Sequence, residues 1–148
     1  MNTMVLTRPA ERHGCLLRLP AAPAAAVAAR RRVRAALAAW RLPVDPDIAI
    51  LLTSDLVADA LWRQASGTIK LTVACADGRL RVEVHGAAPV LPWPADSRTV
   101  PGPGVVLVAA LSDDWGRYRT PEGEAAYFTL AFEPGLARSD ERGQTWGL

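Results

Sequence analysis

The sequence has few cysteines, a single lysine and no long apolar run. Two cysteines, Cys15 and Cys75, are too few for a disulfide scaffold or a structural zinc ribbon. They indicate reduced thiols, and the alternative is a single disulfide between them. No stretch reaches the roughly 18 apolar residues of a membrane span. The apolar run 21–29 precedes its arginines, the reverse of a signal peptide, so we expect a cytoplasmic protein with no membrane segment. An arginine-rich transit peptide remains an alternative.

The composition is that of one globular domain. Half of the 148 residues are hydrophobic and 22% are charged, which excludes a disordered chain and allows a sizeable core. The net charge of +2 conceals an asymmetry, because residues 1–44 carry eight arginines and only one acidic residue, Glu11. The remainder is therefore acidic overall. Residues 1–12 are expected to be a flexible N-terminus, 13–132 the folded domain, and 133–148 a flexible tail without periodicity.

Apolar periodicity and turn residues predict eight elements. Helices are expected at 24–40, 46–64 and 105–111, and strands at 13–19, 68–74, 79–85, 115–119 and 125–132. Asp45 with Pro46 is a helix start, and Asp77-Gly78 is a hairpin turn. The fold class that follows is an α+β two-layer sandwich, in which helices cover one face of a mixed, mostly antiparallel sheet of four to five strands.

Two carboxylates four residues apart form the first candidate site. Asp55 and Asp59 share one face of the second helix, with Cβ atoms about 5–6 Å apart. They are compatible with a magnesium-water site or with a general base beside a nucleotide. The alternative, which the spacing alone favours, is a solvated helix face with Arg63 as counter-charge.

Two further patterns are weaker. Gly102 and Gly104 precede the short third helix, where backbone N–H groups could approach a phosphate, although Pro103 removes one donor and a simple turn fits as well. Arg30 to Arg34 form a basic run that suits a solvated face or an acidic partner; nucleic acid is disfavoured, because no aromatic residues interleave.

Of the five tryptophans, Trp93 and Trp146 are expected to be exposed and the others to pack.

The order of these segments resembles a known family. The segments that carry the resemblance are Leu51–Leu61 on the second helix, Leu80–Val84 in the hairpin, Gly102–Gly116 with its Leu-Ser-Asp-Asp-Trp-Gly ending, and the strand Ala126–Leu130. Over residues 13–132 the chain resembles the histidine-kinase-type (GHKL) ATPase domain, in the small stand-alone form found as anti-sigma-factor serine kinases and actinobacterial regulatory proteins. The resemblance implies a nucleotide held between helices and sheet.

The resemblance also implies roles for individual residues. Asp55 falls where the family has a glutamate general base, and Asp59 where it has a magnesium-binding asparagine. Gly102 and Gly104 match the phosphate loop. The adenine-reading aspartate falls on Gly86, and the polar residue near the start of the last strand falls on Ala125. Each lost hydrogen-bond partner costs on the order of 1–3 kcal/mol, or about ten- to hundredfold in affinity.

We therefore expect a degenerate member of this family that binds Mg-ATP weakly or not at all. The expected function is that of a regulatory protein of the anti-sigma-factor type, which binds a protein partner such as a sigma factor or an antagonist. The alternative is an active serine kinase that phosphorylates an antagonist, with Asp55 as base and Asp59 as magnesium ligand. Homodimers are common in the family, and the sequence identifies no interface.

Overall fold

The computed structural model describes residues 12–64, 66–86 and 105–132. The expected flexible N-terminus and tail, the phosphate-loop glycines Gly102 and Gly104, and both Trp93 and Trp146 lie outside these ranges. Eight elements follow one another in the described residues: β1 His13–Pro20, α1 Ala24–Ala39, α2 Pro46–Arg63, β2 Thr68–Ala76, β3 Arg79–Gly86, α3 Val106–Leu111, β4 Asp114–Thr120 and β5 Gly123–Ala131. All eight predicted elements are confirmed within a few residues.

The five strands form one sheet in the order β1-β2-β3-β5-β4, and every neighbouring pair is antiparallel. The β2–β3 hairpin turns at Asp77 and Gly78, whose φ angles of 52° and 74° are those of a type I′ turn. The predicted α+β two-layer sandwich is confirmed. Strand β3 connects to β5 by way of α3 and β4, so β5 enters the sheet between β3 and β4.

The core lies between one face of the sheet and the helices. In β2, burial alternates along the strand, so that Ile69, Leu71 and Val73 are buried while their neighbours are half-buried. The largest fully buried side chains from the other elements are Leu52 and Leu56 of α2, Leu80 of β3 and Phe128 of β5. Burying a side chain of this size contributes about 1.5–3 kcal/mol, and this apolar layer holds the helices on the sheet.

The start of α2 follows the capping pattern that the sequence predicts. Asp45 is extended and accepts a 2.9 Å hydrogen bond from the backbone N–H of Asp47, and Pro46 occupies the first helical position. This arrangement satisfies one of the amides that a helix start leaves without a partner.

Among the described residues, the structure contains no helix with the length and apolar character that a membrane crossing requires.

Candidate functional site

The C-terminal half of α2 faces α3, β4 and the start of β5, and polar side chains of α2, β4 and β5 meet there. Asp59 lies at the centre, with only 4% of its side chain exposed. Its Oδ1 accepts a 2.8 Å hydrogen bond from Arg117 Nη2 on β4, whose side chain is 3% exposed. Arg63, one helical turn further along α2, donates to both oxygens of the same carboxylate at 3.2 and 3.3 Å. A buried ion cluster therefore occupies this part of the site.

A second carboxylate completes the cluster and balances its charge. Glu124, at the start of β5, places Oε1 3.9 Å from Arg63 Nη1. Burial lowers the pKa of Arg117, and the neighbouring Asp59 carboxylate opposes that shift. Burial likewise raises the pKa of Glu124, and the three arginines at positions 63, 119 and 117 offset part of the shift. We name Asp59, Arg63, Arg117 and Glu124 the ion cluster.

The residues of the ion cluster do not fit a magnesium ion. Both oxygens of Asp59 already accept hydrogen bonds from guanidinium groups, and a divalent cation there would lie beside two fixed positive charges. Magnesium also prefers an octahedral set of oxygen ligands. Within residues 12–64, 66–86 and 105–132, no group of three or more acidic, histidine or cysteine side chains could hold a metal. The role of magnesium ligand for Asp59 therefore lacks support in the geometry.

Asp55 contacts a different part of the fold from Asp59. Its half-buried carboxylate accepts hydrogen bonds from the backbone amides of Leu107 and Val108, in the first turn of α3. Burial raises the pKa of Asp55 above its usual value, and these two hydrogen bonds offset only part of the rise. The side chain that the resemblance assigns as general base therefore holds the start of α3 against α2.

The sequence-based alternative for this helix face is correct on one point and wrong on another. Arg63 does pair with Asp59, as its spacing of four residues indicates. The face is not solvated at Asp59, because that residue is 3% exposed and contacts Arg117 as well. The contact of Arg117 with Asp59 could not be predicted from local spacing, because the two residues lie 58 positions apart. The sequence signal for Arg117 was its position two residues after Trp115 in an alternating strand. Residues two apart in a strand project to the same face of the sheet, so Arg117 faces the helices with Trp115.

Gly86, the last residue of β3, lies on the helix-facing side of the sheet against Gln64. A Cβ atom at Gly86 would lie 2.7 Å from Gln64 Oε1, which is closer than real Cβ atoms approach. Gln64 is 5% exposed, and its Nε2 donates to the carbonyl oxygens of Ser66 at 2.9 Å and Thr68 at 3.0 Å. The buried Gln64 amide therefore fills the space that an adenine-reading carboxylate on Gly86 would need.

Ala125 does not lie with Gly86. It pairs with His85 on β3 and with Tyr118 on β4, and both of these residues are on the sheet face away from the helices. Residues directly opposite each other on neighbouring strands project to the same side of a sheet, so Ala125 faces away from α2. Glu124 projects to the helix-facing side and contacts Arg63. The structure thus brings Asp55, Asp59 and Gly86 to one side of the sheet and puts Ala125 on the other.

Comparison with known proteins does not extend this description. No family model matches the sequence, and no curated protein matches it either. The likeness to histidine-kinase-type ATPase domains therefore depends on the sequence segments alone.

Proposed function

We propose that this chain is a regulatory protein-binding module of the anti-sigma-factor type, built on the histidine-kinase-type ATPase architecture, that works without nucleotide. The observation that carries the proposal is the 2.8 Å contact between the buried Asp59 carboxylate and Arg117. In this chain, the position that corresponds to the family's metal ligand is engaged by an arginine of the same chain. A protein partner such as a sigma factor or an antagonist-like regulator is the class of ligand proposed.

Two further contacts support the loss of nucleotide binding. The amides at the start of α3 already donate to Asp55, and the helix-facing space at Gly86 is filled by the Gln64 side chain. Nucleotide binding would require Arg117, Asp55 and Gln64 to give up these contacts. Breaking a buried ion pair alone typically costs about 3–5 kcal/mol, which lowers affinity by a factor of about 150 to several thousand.

Calorimetric titration of the full chain with Mg-ATP tests the nucleotide half of the proposal. We expect no saturable heat up to millimolar nucleotide, while a nucleotide-binding histidine-kinase-type domain in the same buffer gives a normal isotherm. Stoichiometric micromolar binding would overturn the proposal. Transfer of labelled phosphate from ATP to an antagonist protein, abolished by Asp55→Asn, would favour the active serine kinase instead.

The partner half needs a separate measurement. Each sigma factor and small antagonist-like protein of the native cell is purified and passed over the immobilised chain in surface plasmon resonance, with and without Mg-ATP. We expect saturable binding of one of them, with the same affinity in both buffers. Absence of binding to all of them, or binding that requires nucleotide, would contradict the proposal.

A further inference from the structure

The sheet face that points away from the helices is open in the described part of the chain, because α1, α2 and α3 all pack on the opposite face. The strand registers place five residues in line across all five strands. Arg18 lies opposite Lys70, Lys70 opposite His85, and Ala125 opposite both His85 and Tyr118. Residues directly opposite each other project to the same side of a sheet, so these five side chains lie side by side on the open face. We name them the cross-strand row.

Two aromatic rings meet at one end of the cross-strand row. Tyr118 on β4 and His85 on β3 are separated by β5, where Ala125 is buried between them. The ring centres of Tyr118 and His85 are 6.4 Å apart with an angle of 88° between the planes, which is an edge-to-face contact. A larger side chain at Ala125 would stand between the two rings. Tyr118 is 41% exposed, so this end of the row presents aromatic surface to solvent.

Tyr127, in the next row of the same face, holds Tyr118 in place. The two ring centres are 6.4 Å apart. The guanidinium of Arg81 lies 3.8 Å from the ring centre of Tyr127, and the Tyr127 hydroxyl donates a 3.3 Å hydrogen bond to Asp114. A Cβ atom at Gly116 would lie 3.0 Å from the same ring, so the backbone there supports it closely. An aromatic surface that is already ordered loses little conformational entropy when a ligand stacks on it.

The other end of the cross-strand row is cationic. Arg18 is exposed on the edge strand β1, Lys70 lies half-buried beside it, and within the described residues neither forms an ion pair. The row itself contains no carboxylate. Glu83, in the neighbouring row, is 10% exposed and lies 3.3 Å from His85 Nε2. Burial lowers the pKa of His85, and the charge of Glu122 in the β4–β5 turn is among those that oppose the shift. Negative charge therefore lies near the aromatic end, and positive charge lies at the other end.

We propose that the cross-strand row binds an unpaired strand of nucleic acid, with bases stacked on the aromatic end and phosphates at the cationic end. Aromatic side chains on an open antiparallel sheet stack bases in this way, and every base has a face that stacks. A duplex keeps its bases stacked on one another, so only an unpaired strand offers both groups. The expectation against nucleic acid concerned the arginine run of α1, which has no interleaved aromatic residues. On the sheet, register brings both kinds of side chain together.

The length of the cross-strand row limits the size of the ligand. Neighbouring strands lie about 4.8 Å apart, so four intervals give about 19 Å from Tyr118 to Arg18. At about 3.4 Å or more per nucleotide, the row accommodates at most about six nucleotides. Stacking and phosphate contacts use parts that DNA and RNA share, so we expect similar affinity for both. This inference goes beyond the proposed function. A single nucleotide forms one stack and reaches few cations, so the calorimetric test above and the test below can fail independently.

Fluorescence anisotropy of the full chain with a labelled oligothymidylate of about 12 nucleotides measures the binding. We expect saturable binding to the single strand, and weaker binding to a duplex of the same length. The logarithm of the association constant should fall against the logarithm of salt concentration with a slope of about −1.4, as expected for two neutralised phosphates. Arg18→Gln and Lys70→Gln should each reduce the size of that slope by about 0.7.

Tyr118→Ala should raise the dissociation constant by about fivefold or more, because it removes one stacking surface. Tyr118→Phe keeps the ring and should retain the affinity. Trp62→Ala is the matched control, since Trp62 is an aromatic residue on α2, on the opposite side of the molecule. It is 65% exposed, which corrects the expectation that it packs. This control should leave the dissociation constant unchanged, and circular dichroism of every variant establishes that the fold is kept.

Three results would overturn the proposal. The first is an absence of binding at low salt, or equal affinity for the single strand and the duplex. The second is an affinity that is indifferent to Tyr118→Ala but is lost in Arg31→Gln with Arg34→Gln, since that result assigns binding to the exposed arginines of α1. The third is stronger binding of polyglutamate, with the same dependence on Lys70, which would replace nucleic acid by an acidic protein partner.

Discussion

At the scale of single residues, the buried carboxylate of Asp59 distinguishes this site from a metal site. Three hydrogen bonds from two arginines reach its oxygens, and Glu124 balances the charge. A buried ion pair contributes little net stability compared with apolar residues of similar volume, but breaking one is costly because a charge is left without its counter-ion. The ion cluster therefore constrains what the site can bind more than it adds to the free energy of unfolding.

Removing one partner from the ion cluster tests this view. Arg117→Met should lower the free energy of unfolding by about 3 kcal/mol, because Asp59 loses its shortest hydrogen bond inside the fold. The double variant Asp59→Asn with Arg117→Met should lose less than the sum of the two single changes, with a coupling of about 1–3 kcal/mol. Urea denaturation monitored by circular dichroism measures all three variants.

Arg18→Met is the control for this cycle, because Arg18 is exposed on β1, at the opposite edge of the sheet from β4. It should change the free energy of unfolding by no more than about 0.5 kcal/mol. Strict additivity of Asp59→Asn and Arg117→Met would show that the two side chains do not interact in the folded protein.

The contact between Gly86 and Gln64 gives a second prediction at this scale. Gly86→Ala introduces a Cβ 2.7 Å from Gln64 Oε1, and two hydrogen bonds hold that amide in place. We expect a loss of about 1–3 kcal/mol in the free energy of unfolding from overpacking. Gly14→Ala is the matched control, since its Cβ would meet nothing closer than 3.8 Å and should be neutral. Equal denaturation midpoints for the two variants would contradict the close approach.

At the scale of elements, α2 is central because it contacts α1, α3 and the sheet. Its inward face supplies the core, its side towards α3 carries Asp55 and Asp59, and its outward face carries Trp62. The position of α3 depends on α2, since the amides of its first turn donate to Asp55. The helix therefore supplies side chains to both the core and the site.

The start of α2 provides a prediction for this element. Asp45→Ala removes the acceptor of the 2.9 Å hydrogen bond from the backbone N–H of Asp47 and should lower the free energy of unfolding by about 1 kcal/mol. Asp45→Ser keeps an acceptor at the same position and should restore most of the loss. Thermal unfolding of the two variants beside the unchanged chain measures the difference. Identical midpoints for alanine and serine would exclude a capping role.

At the scale of the whole molecule, the sheet has one apolar face and one polar face. On the polar face, Glu83 Oε1 accepts from Arg81 at 3.1 Å, and Glu83 Oε2 lies 3.3 Å from His85 Nε2. The guanidinium of Arg81 also lies 3.8 Å from the ring centre of Tyr127. Burial lowers the pKa of His85, and the attraction of Glu83 compensates only in part. The contact between His85 and Glu83 on the polar face therefore depends on pH.

The lowered pKa of His85 predicts how stability varies with pH. Below the unfolded value of 6.5, the unfolded chain binds a proton that the folded chain binds less readily. Above pH 6.5 His85 is neutral in both states and does not lower the free energy of unfolding. As the pH falls below 6.5 towards the folded pKa, the free energy of unfolding declines, because the unfolded chain binds the proton more readily. The urea midpoint of the unchanged chain should be lower at about pH 5.5 than at about pH 7.5, and His85→Gln should reduce that difference. An undiminished difference in the variant would assign the effect to other groups.

Much of the architecture could be predicted because it depends on local patterns. Alternation in Thr68–Ala76 and Arg79–Gly86, with the Asp77-Gly78 turn, defined the central hairpin, and the Asp45-Pro46 pair defined the start of α2. The site was predicted less well. The spacing of Asp55 and Asp59 placed both on one helix, but spacing carries no information about which distant groups meet them.

By itself, the sequence determined the order and type of the elements and the asymmetry of charge between α1 and the rest, because periodicity, capping and composition act over a few neighbouring residues. Only the tertiary structure decided that Arg117 contacts Asp59, that Gln64 fills the space at Gly86 and that Ala125 faces away from the helices. These contacts depend on strand register and on packing between segments far apart in the chain. A shift of one residue in that register would have reversed the side on which each strand residue lies.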